Sequence, residues 1–231
     1  MTDYNEEQLF VWRTMRADEA ADIYALHRGV FEKTPAGMVR PDDLDHFESH
    51  VDALGRILGC FADGDLVAYG VLGMDSHTVD HLAELLGASA ADRARMCVLD
   101  GAASLPEWRG RSLHCVAIEE RMALGSSLGR TLVAATVAPE NMRSLRGLLK
   151  EGFTVRRYAV VYGGLVRLIV QNDLAQQPPP VWRKRQHIAS GDRAGHQRAL
   201  SEGLVGYACW TDEAHQWYVD YGDTGSQDEP V

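Results

Sequence analysis

Pro106-Glu107-Trp108-Arg109-Gly110-Arg111-Ser112-Leu113 joins two segments of different periodicity. The run before it, Met96 to Leu105, is β-type. The run after it places Cys115, Ile118 and Met122 three and four residues apart, as one helix face requires, and reaches about Gly125. A strand therefore turns into a helix through a short loop carrying two arginines and a glycine. The first turn of a helix has backbone N–H groups without partners and lies at the positive end of the helix dipole. Such a place is an anion site, and phosphate is its usual occupant. A diphosphate needs converging N–H groups and no side chain blocking its approach, and Arg109 and Arg111 add guanidinium forks. Taken alone, the same residues also fit a solvated polar loop, so the order of elements around them decides.

Upstream, Leu9 to Met15 alternates as a strand, and Asp18 can cap a helix in which Ile23, Leu26 and Val30 repeat. Thr34-Pro35-Ala36-Gly37 breaks it. A second helix is expected from about Pro41, with Leu44, Phe47, Val51 and Leu54 on its buried face. Ile57 to Ala62 and Leu66 to Met74 read as a hairpin about Asp63-Gly64, with Gly70 and Gly73 marking a bulge or a close backbone approach. Asp75 to Arg95 is more polar and holds one short helix ended by Gly87. Downstream come a strand from Arg130 to Val137, a helix capped by Asn141 and ended by Gly152, and two strands, Phe153 to Tyr162 and Leu165 to Gln171, joined at Gly163-Gly164. Gln176 to Pro180 is a linker. Beyond it lie a strand near Trp182 to Ile188, a helix near Arg193 to Glu202 and a hairpin of Leu204 to Trp210 with Gln216 to Tyr221, and Gly222 to Val231 is expected to be disordered. The mixture without strict β-α alternation predicts an α/β protein with a mixed, mainly antiparallel sheet flanked by helices.

That order, with an Arg/Gly loop after the fourth strand, resembles the GNAT (Gcn5-related N-acetyltransferase) superfamily over Leu9 to Asp173. Leu105 to Leu113 resembles the family's V-x-P-x-[YW]-R-G-x-G loop, which binds the pyrophosphate of coenzyme A. Val137-Ala138-Pro139-Glu140-Asn141, Ser144 and Glu151-Gly152-Phe153 are similar to the family's V-x-x-x-N-x-x-[AS] helix ending in G-F. The Asp63-Gly64 hairpin is the third match. The resemblance implies an acyl-CoA-binding acyltransferase domain over residues 1–174, with a linker and small C-terminal extension over 175–231. It implies that Ala103, Leu105, Arg109, Gly110, Arg111, Ser112, Leu113, His114 and Asn141 bind acetyl-CoA as co-substrate. The sequence departs from the pattern at Ser112 and His114, where the family has glycine and glycine or alanine. His114 either donates to the pyrophosphate or faces solvent at the helix start. The tyrosine that in many members protonates the leaving thiolate is replaced by Leu148.

The family's reaction is direct attack of a neutral amine on the thioester. By resemblance, Asp100 is the candidate base, although Asp100-Gly101 also suits a bend, and Tyr158 or Tyr162 is the candidate acid. The expected activity is an acetyl-CoA-dependent N-acyltransferase acting on the primary amine of a small molecule. The rivals are a non-catalytic acyl-CoA-binding or regulatory domain and an acyltransferase taking its donor from an acyl carrier protein. The acceptor cleft is expected between Thr34 to Arg40, the acidic start of the second helix (Asp42, Asp43, Asp45, Glu48) and Tyr162-Gly163-Gly164. The extension covers that cleft, pairs with a second subunit as a homodimer, or extends the sheet.

Composition bounds the rest. A net charge of −10 over 231 residues argues against nucleic-acid binding. Cys60, Cys97, Cys115 and Cys209 form no C-x-x-C pair and read as reduced core thiols. Met1 to Gln8 lacks the basic and apolar regions of a secretory leader, and no run is long enough to span a membrane, so a cytoplasmic location is expected. His46/His50 and His77/His81 are each spaced like a metal pair, but lack the H-E-x-x-H pattern or a third ligand. They are expected on solvated helix faces, with no metal.

Overall fold

The computed structural model describes residues 10–224. β1 (Phe10–Thr14) pairs with β2 (Gly55–Ala62), and the two helices between them are α1 (Ala20–Phe31) and α2 (Leu44–Val51). Asp63 and Gly64 both take positive φ, 53° and 92°, turning β2 tightly into β3 (Asp65–Gly73). Then come α3 (Ser76–Leu86), α4 (Ala90–Ala94), β4 (Met96–Ser104), α5 (Leu113–Ser127), β5 (Leu132–Val137), α6 (Met142–Lys150), β6 (Thr154–Val161) and β7 (Leu165–Asp173). The last elements are β8 (Arg183–Ala189), α7 (Arg193–Ser201), β9 (Val205–Thr211) and β10 (Trp217–Asp223). All ten strands form one sheet in the order β1-β2-β3-β4-β5-β7-β6-β9-β10-β8. Only β4 and β5 pair in parallel, so the sheet is mixed and mainly antiparallel. The side chains of α1, α2 and α3 pack on one face, and those of α5, α6 and α7 on the other.

Three local readings change. α2 begins at Leu44, not near Pro41, because the Asp43 carboxylate accepts the His46 N–H and fixes the start there. Asp18 does not cap α1. It lies in a 3₁₀ turn, Ala17–Glu19, whose Glu19 is gripped by both Arg13 Nη atoms at 2.8 and 2.6 Å. The polar stretch holds a second helix, α4, started by the reciprocal caps of Ser89 and Asp92, and five residues are too few to show a period.

The extension continues the sheet. β9 joins β6 at Val155↔Gly206, where a Cβ on Gly206 would lie 3.0 Å from Val155 Cβ. Ile188, Ala199, Val219 and Tyr221 pack into the same core as Leu148 and Phe153. β10 includes Gly222 and Asp223, which the sequence placed in a disordered tail. The remaining expectations for that tail, for Met1 to Gln8 and for Leu9 in the first strand lie outside the described residues. Among the described residues no helix is long and apolar enough to cross a membrane.

Candidate active site

β4 and β5 run side by side for only four pairs, Met96↔Leu132 to Leu99↔Ala135. Past that point the register of β3 against β4 shifts between Gly70 and Leu72, opposite Gly101, whose φ is 111°. The bulge turns the rest of β4 away from β5, and a gap opens in the middle of the sheet. Leu105 N–H donates to Val67 O at 3.0 Å. Backbone groups alternate sides along a strand, so Ala103 also faces β3, where it pairs with Tyr69. Ala102 and Ser104 therefore point their N–H and C=O groups into the gap. The backbone groups of Ala103 and Leu105, both expected to bind acetyl-CoA, are spent on β3, and Leu105 packs with the α1–α2 core.

Behind the bulge lies Arg121 of α5, which the sequence reading did not single out. It is 2% exposed and donates to Ala117 O (2.7 Å), Gly101 O (3.0 Å) and Val71 O (3.2 Å). It thus ties the helix to both strands at the bulge. Burial pulls its pKa down to about 10, so it stays charged at neutral pH. Gly70 makes room for it, since a Cβ there would lie 2.7 Å from Arg121 Nε.

The Arg/Gly loop forms as expected up to the helix start. Gly110 takes φ 82°, and Ser112 takes φ 60°, the left-handed conformation for which glycine is suited. The first helical bond runs from Val116 N–H to Ser112 O, so the N–H groups of Leu113, His114 and Cys115 precede it and face the loop. A cavity of about 610 Å³ extends from here between the end of α1 and α6. It is lined by Ala103, Arg109, Gly110, Ser112, Leu113, His114 and Asn141 among the expected residues. Lys33, Arg143, Arg146 and Lys150 join Arg109, and among the described residues no carboxylate lines it. In a chain of net charge −10 this concentration of cations suits an anion. Arg143, Arg146 and Lys150 recur three and four residues apart on α6, a signal present in the sequence but not used. Arg111 does not line the cavity; its guanidinium stacks 4.8 Å from the Trp108 ring centre. Asn141 spends its Oδ1 on the Ser144 N–H, which leaves its NH2 to offer.

The His114 side chain does not lie free in solvent at the helix start. It wedges between α5 and α6, with Nε2 3.3 Å from Ser144 Oγ and its ring against Gly147. Burial, aided by the charge of Arg121, lowers its pKa to about 4, so the ring is neutral.

A smaller cavity of about 120 Å³ meets the larger one at Tyr69, Ala102, His114 and Asn141. Asp42, Asp100, Arg40, Arg167, Tyr162 and Leu148 line it. Asp100 is 6% exposed and lies 3.2 Å from Arg40 Nη2, and Arg40 also grips Asp42. Tyr162, with φ 50°, holds its ring under the Arg40 guanidinium at 4.9 Å and its hydroxyl 3.5 Å from Thr136 Oγ1. Burial raises its pKa, with the charge of Asp100 adding to the shift, so it stays protonated. Of the acidic start of α2 only Asp42 reaches this cavity; Asp43, Asp45 and Glu48 are exposed. Tyr158 lies on the opposite face of the sheet, packed with α7, where its hydroxyl accepts from Arg193 Nε at 3.0 Å. It lines neither cavity, so the acid role considered for it is not supported by its position.

The paired histidines divide. His77 and His81 are exposed, as expected. His46 and His50 are not on a solvated face: they turn inward with rings 4.2 Å apart and approach Asp100 Oδ2 to 4.0 and 3.8 Å. Burial lowers the His46 pKa. The cysteines behave as core thiols where burial acts on them, since it raises the pKa of Cys60 to about 11 and that of Cys97 to about 12.

A parallel-to-antiparallel sheet opened at a bulge, with an anion loop at the next helix, is the fold of the GNAT acetyltransferases. A GNAT-family acetyltransferase of Streptococcus pneumoniae superposes with a TM-score of 0.57 at 14% identity, covering 72% of this chain and 100% of that one. Diaminobutyrate acetyltransferase of Paenibacillus lautus, in complex with L-2,4-diaminobutyric acid and coenzyme A, gives 0.54 at 13%, covering 74% and 98%. The ribosomal-protein-S18-alanine N-acetyltransferase of Escherichia coli gives 0.52 at 12%, covering 76% and 100%. No family model and no curated protein sequence matches the chain.

Proposed function

We propose that the protein is an acetyl-CoA-dependent N-acetyltransferase acting on the primary amine of a small molecule. The observation that carries this reading is the cavity with five cations and, among the described residues, no carboxylate, continuous with the open edge of β4. Coenzyme A presents a diphosphate and a 3′-phosphate. Arg109 and the N–H groups at the start of α5 suit the first, and the cations of α6 and Lys33 suit the second. A carrier-protein arm, with its single phosphate, would leave most of these cations unanswered. The outward N–H and C=O groups of Ala102 and Ser104 are those available to the pantetheine amides and the thioester carbonyl.

In the reaction the amine nitrogen attacks the thioester carbonyl carbon, the C–S bond breaks, and the nitrogen gives up a proton. Asp100 and Asp42 are the carboxylates at the smaller cavity that can take that proton, through water. The Tyr162 hydroxyl, kept protonated by burial, can supply one to the departing thiolate. Proteins of similar fold include a diaminobutyrate acetyltransferase and a ribosomal-protein-S18-alanine N-acetyltransferase, so the acceptor follows from the cavity rather than the fold. A volume of about 120 Å³ suits a small molecule.

A second reading has its own observation. Leu148, 3% exposed, lines the cavity at the position of the family's usual acid, which favours a non-catalytic acyl-CoA binder. Thiol release from acetyl-CoA across a panel of small amines separates the two. Amine-dependent release that falls at least about tenfold in Tyr162→Phe, as expected on losing a general acid, supports catalysis. Tight acetyl-CoA binding with no release for any amine supports the binder.

A further inference from the structure

We propose that His46, His50, Asp75 and Asp100 form a binding site for one divalent transition-metal ion, of the zinc class. His46 and His50 stand four residues apart on the inner face of α2, Asp100 lies at the bulge of β4, and Asp75 caps α3. Three of these, His46, His50 and Asp100, offer ligand atoms that all lie within 4.8 Å of one another. The fourth, Asp75 Oδ2, lies 3.6 Å from His50 Nε2.

The hydrogen bonding of the cluster leaves its centre unanswered. His50 Nδ1 lies 2.7 Å from His46 O, an acceptor, so Nδ1 carries the proton. Nε2 is then the ring atom turned towards the cluster. It faces Asp75 Oδ2 and Asp100 Oδ2 at 3.6 and 3.8 Å, and both of these are acceptors as well. His46 Nε2, His50 Nε2 and Asp75 Oδ2 are buried without any hydrogen-bond partner. His50 is 5% exposed and the Asp75 side chain 8%. Asp75 uses its other oxygen on the Thr78 N–H at 2.8 Å and has no Lys or Arg partner among the described residues. His46 Nδ1 lies 3.5 Å from Arg40 Nη2, which can only donate, so His46 offers Nε2 to an ion by exchanging its tautomer. Polar atoms left without partners in a dry place call for a ligand between them.

The chemistry of the set selects the ion. Two imidazoles and two carboxylates in a four-ligand cluster suit zinc, whose bonds of about 2.0–2.2 Å bring neighbouring ligands to roughly 3.3–3.5 Å. The histidine–carboxylate pairs stand 3.6 to 4.0 Å apart, and His46, His50 and Asp100 lie within 4.8 Å of one another, so the ligands close by up to roughly 1.5 Å on an ion. The bond from His50 Nδ1 to a backbone carbonyl is the outer support that metal-bound histidines have. Arg40 donates at 3.2 Å to Asp100 Oδ2, the oxygen that faces the histidines, and would share it with the ion. Such an ion would fasten α2 and the start of α3 to the bulge that opens the sheet. It would occupy Asp100 as a ligand and leave the acceptor's proton to Asp42.

The test is metal analysis of the untagged full chain after exposure to zinc and gel filtration. About one zinc per chain is expected, with a fall in melting temperature on chelation that zinc reverses. Retention should be lost in His46→Asn and His50→Asn and kept in His77→Asn and His81→Asn. Because the first two variants could unfold, cobalt is added to the metal-free wild-type chain, where the visible absorption of tetrahedral cobalt is the expected result. Zinc below a tenth of an equivalent with no cobalt spectrum overturns the proposal. So does full retention in the His46→Asn/His50→Asn double variant. Neither readout depends on acetyl transfer, so a failed metal site and a failed transferase are told apart.

Discussion

His114 should make the protein acid-sensitive in a way that one substitution removes. Its half-buried ring packs between α5 and α6, and desolvation there lowers its pKa to about 4 from an ordinary 6.5. A histidine with a lowered folded pKa binds its proton more readily when unfolded. Its contribution is fully present above pH 6.5 and is lost as pH falls from there towards 4. At about pH 7.5 the two states are almost equally unprotonated, and the term is near zero. At about pH 4.5 the unfolded ring is almost wholly charged and the folded one mostly neutral, which costs about 2.5 kcal/mol. For a chain of this length that is a drop in melting temperature of roughly 5–10 °C from this residue alone. His114→Gln keeps a polar group beside Ser144 Oγ and cannot charge. Urea unfolding of both proteins at the two pH values isolates the term, because every other titrating group is common to them. The variant should lose about 2.5 kcal/mol less than the wild type between the two pH values. Parallel losses, equal within about 0.5 kcal/mol, would refute the wedge and return His114 to solvent.

Arg109→Ala should weaken acetyl-CoA binding by about 1–3 kcal/mol in calorimetry, whereas Arg111→Ala should do less, because Arg111 lies on Trp108 outside the cavity. Ser112→Gly should raise stability by roughly 0.5–1 kcal/mol in urea unfolding, since it removes the cost of a side chain at φ 60° less the entropy glycine adds to the unfolded chain. Gly70→Ala should cost about 1–3 kcal/mol in the same assay, because the new Cβ would lie 2.7 Å from the Nε of an arginine that three carbonyls hold in place.

The fold was legible because its decisive features are local. Asp63-Gly64 fixes a hairpin through two positive φ angles, Asn141 starts α6, and the Arg/Gly loop marks where a strand becomes a helix. The site was legible only where it is equally local. Arg109, Gly110, Ser112 and Leu113 sit within one short loop and helix start, and all four line the larger cavity. Arg121 looks like any helical arginine until the bulge at Gly101 brings Val71 and Gly101 carbonyls to it. His46 and His50 read as a surface pair because the residues that make their environment, Asp75 and Asp100, stand 25 and 50 positions beyond His50 in the chain. Tyr158 and Tyr162 are indistinguishable by composition. The turn at Tyr162, whose φ is 50°, decides which of them reaches the cleft. The direction in which Ala103 offers its N–H depends on the pairing of Leu105 with Val67, which a sequence does not print.

The central claim is that the opening between β4 and β5 receives an acyl-CoA, and a crystal structure with saturating acetyl-CoA tests it most directly. The pantetheine arm should lie in the opening and bond the Ala102 and Ser104 backbone, with the diphosphate on Arg109 and the N–H groups of Leu113 to Cys115. An empty opening at saturating acetyl-CoA, or a molecule bound away from it, would contradict the account.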